Sequence, residues 1–148
     1  MEIKNSNAVL RLHCNDSDGF TWIKSLNALC KILPGRITKR MSSAIESSEY
    51  SLVLFRKVMR DSAGKKWKTD FFDDRMEMTY LGRTYTPQIY PGYTHVVFVE
   101  APVSATYGKR LRFMGCYELT GIAGKKFIFT LVSREFDMVP ADEVKMAA

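Results

Sequence analysis

Cysteine and histidine are scarce in this sequence: three of the first (Cys14, Cys30, Cys116) and two of the second (His13, His95) in 148 residues. The cysteines lie far apart and form no CxxC pair, which excludes a zinc ribbon or a thioredoxin-like motif. Their odd number reads as buried free thiols, because free cysteine packs as a small hydrophobe and persists where disulfides do not form. A reducing, cytoplasmic compartment is the expectation that follows. A metal site needs three or four ligands. His13, Cys14 and Asp16 form one close group, but their side chains alternate in an extended segment, so no metal is expected there. Nucleotide loops of the GxxxxGK[ST] or GxGxxG type are missing. The run GIAGKK at residues 121–126 lacks their spacing and the helix that must follow, and reads as a hairpin turn. There is no GxSxG elbow, and no cofactor is called for.

Long apolar runs are missing too. The longest, around residues 96–99, falls far short of the roughly 20 residues that cross a membrane. The opening MEIK has no apolar h-region, so neither a membrane partner nor a secretion signal is expected. No repeat, low-complexity tract or linker divides the chain, which predicts a single domain over residues 1–148. What is present is ordinary globular material, 46% apolar and 26% charged. A chain of this length buries about 68–70% of its unfolded surface without staples.

The hydrophobic pattern is mostly that of strands. Residues 8–14 read as a first strand, broken by Asn15-Asp16-Ser17-Asp18-Gly19. Ile23, Leu26, Leu29, Cys30 and Leu33 mark one face of an amphipathic helix over residues 20–33, stopped by Pro34-Gly35. Residues 36–48 are rich in serine and read mostly as loop. Residues 51–60 and 65–72 alternate across a Gly64-containing turn and predict a β-hairpin. Residues 76–80 form another strand, and residues 94–100 read as a central strand because they are almost continuously apolar. Residues 110–119 and 126–133 follow, with Gly115 marking a bulge or a close backbone approach. The last residues, 137–148, read as a short helix or a frayed end.

The fold class expected is therefore α+β and β-dominated. About six or seven strands would form a mostly antiparallel small barrel, or a strongly curved sheet, with one covering helix. By architecture alone it resembles a PUA-like barrel or a similar small barrel, and fold by itself does not give function.

The net charge of +6 is unevenly distributed. Residues 36–68 carry +6 and residues 109–134 carry +5, while residues 69–108 carry −3. Basic groups neutralise phosphates, and exposed aromatics stack on bases. The surface expected to bind nucleic acid, DNA or RNA, is Arg56, Lys57, Arg60, Lys65, Lys66, Trp67 and Lys68, with Arg110, Arg112, Lys125 and Lys126 beside them. Tyr85, Tyr90, Tyr93 and Tyr107 are further candidates for stacking. The function expected is non-catalytic binding. Lysines on solvent faces also serve solubility and guard sheet edges, and an acidic protein partner is the alternative. A second alternative is a metal-dependent nuclease or another hydrolase, with Asp70, Asp73, Asp74 and Glu77 as acids, Lys68 nearby, and Glu100 or His95 contributing.

Overall fold

A computed structural model describes residues 10–14, 20–41, 43–59, 66–82, 89–100 and 110–138. Strand β1 (Leu10–His13) is followed by the two-residue β2 (Trp22–Ile23) and the helix α1 (Leu26–Ile32). Then come β3 (Ile37–Arg40), β4 (Ala44–Ser47), β5 (Val53–Val58), β6 (Trp67–Phe71) and β7 (Arg75–Tyr80). β8 (Thr94–Glu100), β9 (Leu111–Ala123), β10 (Lys126–Ser133) and β11 (Glu135–Met138) complete the order. Among the described residues nine strands make one sheet, ordered β3-β4-β5-β8-β9-β10-β7-β6, with β2 added on β9. β1 and β11 form a separate antiparallel pair. Asp137 and Met138 are thus in a strand rather than a terminal helix, and the rest of the tail lies outside the described residues.

The helix is shorter than its hydrophobic spacing predicts. Trp22 and Ile23 pair with Arg112 and Leu111 of β9, so the start of that stretch is extended. The helix begins only where the Ser25 hydroxyl accepts the Ala28 N–H at 3.0 Å, an N-cap. It buries Leu26 and Leu29. Its end is held by the Leu33 N–H donating to Leu29 O and by the Ser47 hydroxyl donating to Pro34 O.

The sheet is mixed, which corrects the expected hairpin over residues 51–72. β5 and β6 do not pair with each other. β5 lies parallel to β8, in register Val53 to Thr94 through Val58 to Val99. β6 pairs with β7 across the Phe72-Asp73-Asp74 turn, closed by Phe72 N–H to Arg75 O at 2.8 Å. Alternation shows that a segment is extended but does not choose its partner. The serine-rich stretch read as loop contains the antiparallel pair β3 and β4. Its strands are only four residues each and their pattern is masked by polar residues on the open face.

Two cores lie on opposite faces of the sheet. On the outer face, α1 and the β1–β11 pair cover Ile45, Phe55, Val96, Phe98, Leu111 and Phe113. On the inner face, Val58, Val97 and Val99 meet Met76, Met78, Tyr80, Tyr117, Phe127 and Phe129. Side chains of the β5–β8 half and the β7–β10 half meet in this second core, so the sheet is curled. Among the described residues it is not closed, because no ladder joins its edge strands β3 and β6. The class is β-dominated with one helix, as expected, and of the two expected forms, small barrel or strongly curved sheet, the described strands show no closed barrel.

Gly115 sits at the β8–β9 register shift with φ +129°. A Cβ there would lie 2.6 Å from Leu131 Cδ1 and 3.2 Å from Ser133 O. The second neighbour is backbone and has little room to give. Gly115→Ala is expected to destabilise the fold by about 1–3 kcal/mol through backbone strain alone, read as a lower midpoint in urea. A wild-type midpoint would show that this bulge tolerates a side chain.

Candidate nucleic-acid interface

Curling without closing leaves a gap between β5 and β6, and a cavity of about 510 Å³ opens there. Arg56, Lys57, Lys66, Trp67, Thr69 and Glu100 line it, with Val58 and Met78 among the apolar walls. The strand period explains the inward-facing part of this lining. Arg56 shares parity with Leu54 and Val58 on β5, so it is drawn to the inner face with them. Trp67 and Thr69 take the corresponding parity on β6.

Arg56 is the best-fixed of these groups. Its Nη1 donates to His95 Nδ1 at 3.2 Å, and His95 Nε2 donates to Tyr90 O at 3.2 Å. His95 is fully buried, with its ring edge-on to Phe129 at 5.0 Å. Burial and the Arg56 charge push its pKa down to about 4, so the imidazole is neutral and its tautomer follows from its two partners. The same carbonyl closes the Tyr90-Pro91-Gly92-Tyr93 turn, accepting the Tyr93 N–H at 3.3 Å. Proline second and glycine at φ +85° third are the residues a type II turn requires. Tyr90 itself is held at φ +52°, its ring against Tyr93 and its hydroxyl donating to Met41 Sδ. Both tyrosines are partly buried and cross-braced, with Tyr93 also donating to Glu46 at 3.1 Å.

The two basic windows meet at one end of the sheet. Leu81 donates its N–H to Lys66 O, Tyr80 donates to Lys125 O, and Lys125 Nζ donates to Gly82 O at 2.7 Å. Residues 80–82 thus have Lys66 on one side and Lys125 on the other. Lys68 and Lys126 both stand opposite Thr79, which puts them on the outer face of the same strands, where Lys126 pairs with Glu77 at 3.3 Å. Trp67 is half-buried, packed on Tyr80 and Phe127, and so forms part of the cavity wall. Arg110 and Arg112 belong to the opposite end of β9. Arg112 stacks on Phe20 at 4.3 Å and lines a different cavity of about 360 Å³ with Arg134, Asp73 and Tyr117. Arg60, Lys65, Tyr85 and Tyr107 lie outside the described residues.

The acidic cluster comes apart in the fold. Asp70 and Glu77 face each other across β6 and β7 on the outer side, away from Thr69 and Met78. Glu77 is held by Arg75 at 2.8 Å and by Lys126, which lowers its pKa, and Asp74 pairs with Arg75. Glu100 lines the inner cavity instead. Among the described residues no three His, Cys, Asp or Glu side chains converge on one point. Cys116 is core, its thiol pushed up to about 12 by burial and by Cys14. Sequence reasoning does not single out Thr69 or the Arg56–His95 hydrogen bond. The available signal is a charged residue, Arg56, on the apolar parity of its strand.

A restriction enzyme shares this fold. The 5-hydroxymethylcytosine-specific restriction enzyme AbaSI aligns over 78% of this chain and 39% of its own, with TM-score 0.56 and 15% identity. The chain therefore spans well under half the length of that enzyme. No protein-family model matches the sequence, and no curated protein does. Among the described residues no helix is long and apolar enough to cross a membrane.

Because His95 is held neutral when folded and has the ordinary value of about 6.5 when unfolded, the unfolded chain binds more protons between pH 6.5 and about 4. Stability is fully present above pH 6.5 and is lost as pH falls through that window. NMR of the His95 ring should show a titration near pH 4 and a predominantly neutral ring above pH 5. Titration near 6.5 in the folded protein would mean that the Arg56–His95–Tyr90 chain is not formed.

Proposed function

We propose that this protein binds nucleic acid, DNA in the first place, at the end of the sheet where Lys66 and Lys125 flank residues 80–82 and the Arg56 cavity opens. The observation that carries this reading is the inward-turned Arg56 in a cavity whose lining also includes Lys57 and Lys66, with Lys125 bonded to Gly82 next to the segment that Lys66 flanks. Its lining holds Arg56, Lys57 and Lys66 with one carboxylate residue, Glu100, a basic excess that suits a polyanion. Lys68 and Lys126 extend the basic edge onto the outer face. Arg112 lines a separate cavity with Arg134. The likeness to a restriction enzyme supports DNA as the polyanion, and that enzyme's stated specificity makes 5-hydroxymethylcytosine the modification to test first.

Binding of a short duplex, followed by fluorescence anisotropy at a series of salt concentrations, tests the reading. Replacing Lys57 and Lys66 by Glu should weaken binding and flatten the log–log salt slope by roughly 0.9 for each phosphate no longer neutralised. A duplex carrying 5-hydroxymethylcytosine is expected to bind more tightly than its cytosine counterpart. No binding even at low salt would refute the proposal.

Cleavage is the second reading, favoured by the neighbour's being an enzyme. Among the described residues, Glu100 is the carboxylate that lines the cavity, while Asp70, Asp74 and Glu77 face outward or are held in ion pairs. Incubating a supercoiled plasmid with the protein and Mg²⁺ separates the two readings. Nicking that Glu100→Gln abolishes would replace binding with catalysis as the function.

A further inference from the structure

Arg56 has no counter-charge among the described residues. Its Nη1 is spent on a neutral imidazole, and its Nε is buried with no hydrogen-bond partner. No carboxylate of the described residues lies within ion-pair distance of it. Burial pushes the guanidinium down to about 10, opposed only by the Tyr90 phenol. Enclosing a cation this way is costly unless an anion completes the site. A second group in the same cavity is also incomplete. Thr69 is 1% exposed, and its Oγ1 has no partner. Buried hydroxyls are almost always hydrogen-bonded, so an orphan calls for an explanation. Both open groups line the one cavity, with Lys57 and Lys66 beside them.

We propose that this cavity is an anion subsite that holds one phosphate group, with the Arg56 guanidinium as its main ligand and Thr69 Oγ1 as a hydroxyl donor. The Arg56 fork suits a phosphate's paired oxygens. Lys57 and Lys66, which also line the cavity, add charge at longer range. The inference deepens the nucleic-acid reading and rests on it for the source of the phosphate. The anion chemistry itself stands on Arg56 and Thr69.

The test is thermal denaturation with inorganic phosphate as the probe, against sodium chloride of equal ionic strength. Phosphate should raise the melting temperature in a saturable way, by about 3–6 °C at ten times its Kd, and chloride should not. Arg56→Met, if folded by circular dichroism, should lose the phosphate shift. Thr69→Val keeps the side-chain shape and removes only the orphan hydroxyl. It should fold as the wild type does and weaken phosphate binding about tenfold, the effect of one charge-assisted hydrogen bond. An unaltered phosphate shift in both variants, or none in the wild type, would overturn the subsite. Matched oligonucleotides with a 5′-phosphate or a 5′-hydroxyl identify the source. Tighter binding of the phosphorylated strand, abolished in Thr69→Val, assigns a terminal phosphate. Equal binding of both strands, weakened alike by Thr69→Val, assigns a backbone diester. DNA binding without a phosphate-specific shift refutes the subsite alone, and a phosphate shift without DNA binding refutes the nucleic-acid reading alone.

Discussion

Strand β8 is buried on both faces, and the rest of the structure is arranged around that fact. Val96 and Phe98 point into the outer core, and Val97 and Val99 into the inner one. A strand of this kind cannot sit at a sheet edge, and it needs covering layers on both sides. The outer layer is supplied by α1 and the β1–β11 pair. The inner layer is supplied by the sheet itself, which curls until β6 and β7 face β5 and β8. Burying five consecutive residues of one strand, His95 through Val99, thus forces the curl. The curl in turn makes the gap between β5 and β6.

That gap is where the polar chemistry gathers. His95 belongs to the buried run of β8 and still carries two ring nitrogens that need partners. It finds one in the Tyr90 carbonyl and the other in Arg56, whose strand runs parallel alongside. The parallel register places Arg56 opposite Val97, one inward position along from His95. One guanidinium nitrogen is used structurally, while Nε is buried without a partner and the residue lines the cavity. The basic character of the site is therefore tied to the packing of the core, through one neutral histidine. Lys66 and Lys125 reach the same end of the sheet by a separate route, because β7 pairs with both β6 and β10.

Several elements are legible in the residues. The central strand over residues 94–100 and the strand over residues 126–133 follow from apolar content and alternation, and the structure has both at those bounds. The bulge signalled by Gly115 is present, with a backbone angle that a side chain resists. Other expectations fail for a common reason. Local pattern cannot say which strands pair, so alternation suggests a β5–β6 hairpin where each strand has other partners. Spacing cannot show that Trp22 and Ile23 are captured by β9, which cuts the helix short. The acidic run from Asp70 to Glu77 is compact along the chain, but strand alternation and two ion pairs disperse it.

Composition and periodicity are enough to fix a β-dominated chain with a covering helix, a buried central strand and two basic windows, because these depend only on which residues are apolar or charged and at what interval. Tertiary structure decided that the sheet is mixed and open, that Arg56 turns inward while Lys68 and Lys126 turn outward, and that Lys66 and Lys125 meet while Arg112 stands apart. The difference is physical. Alternation gives each side chain a face, but only the pairing order of distant strands and the curl imposed by burial on both sides determine which faces meet.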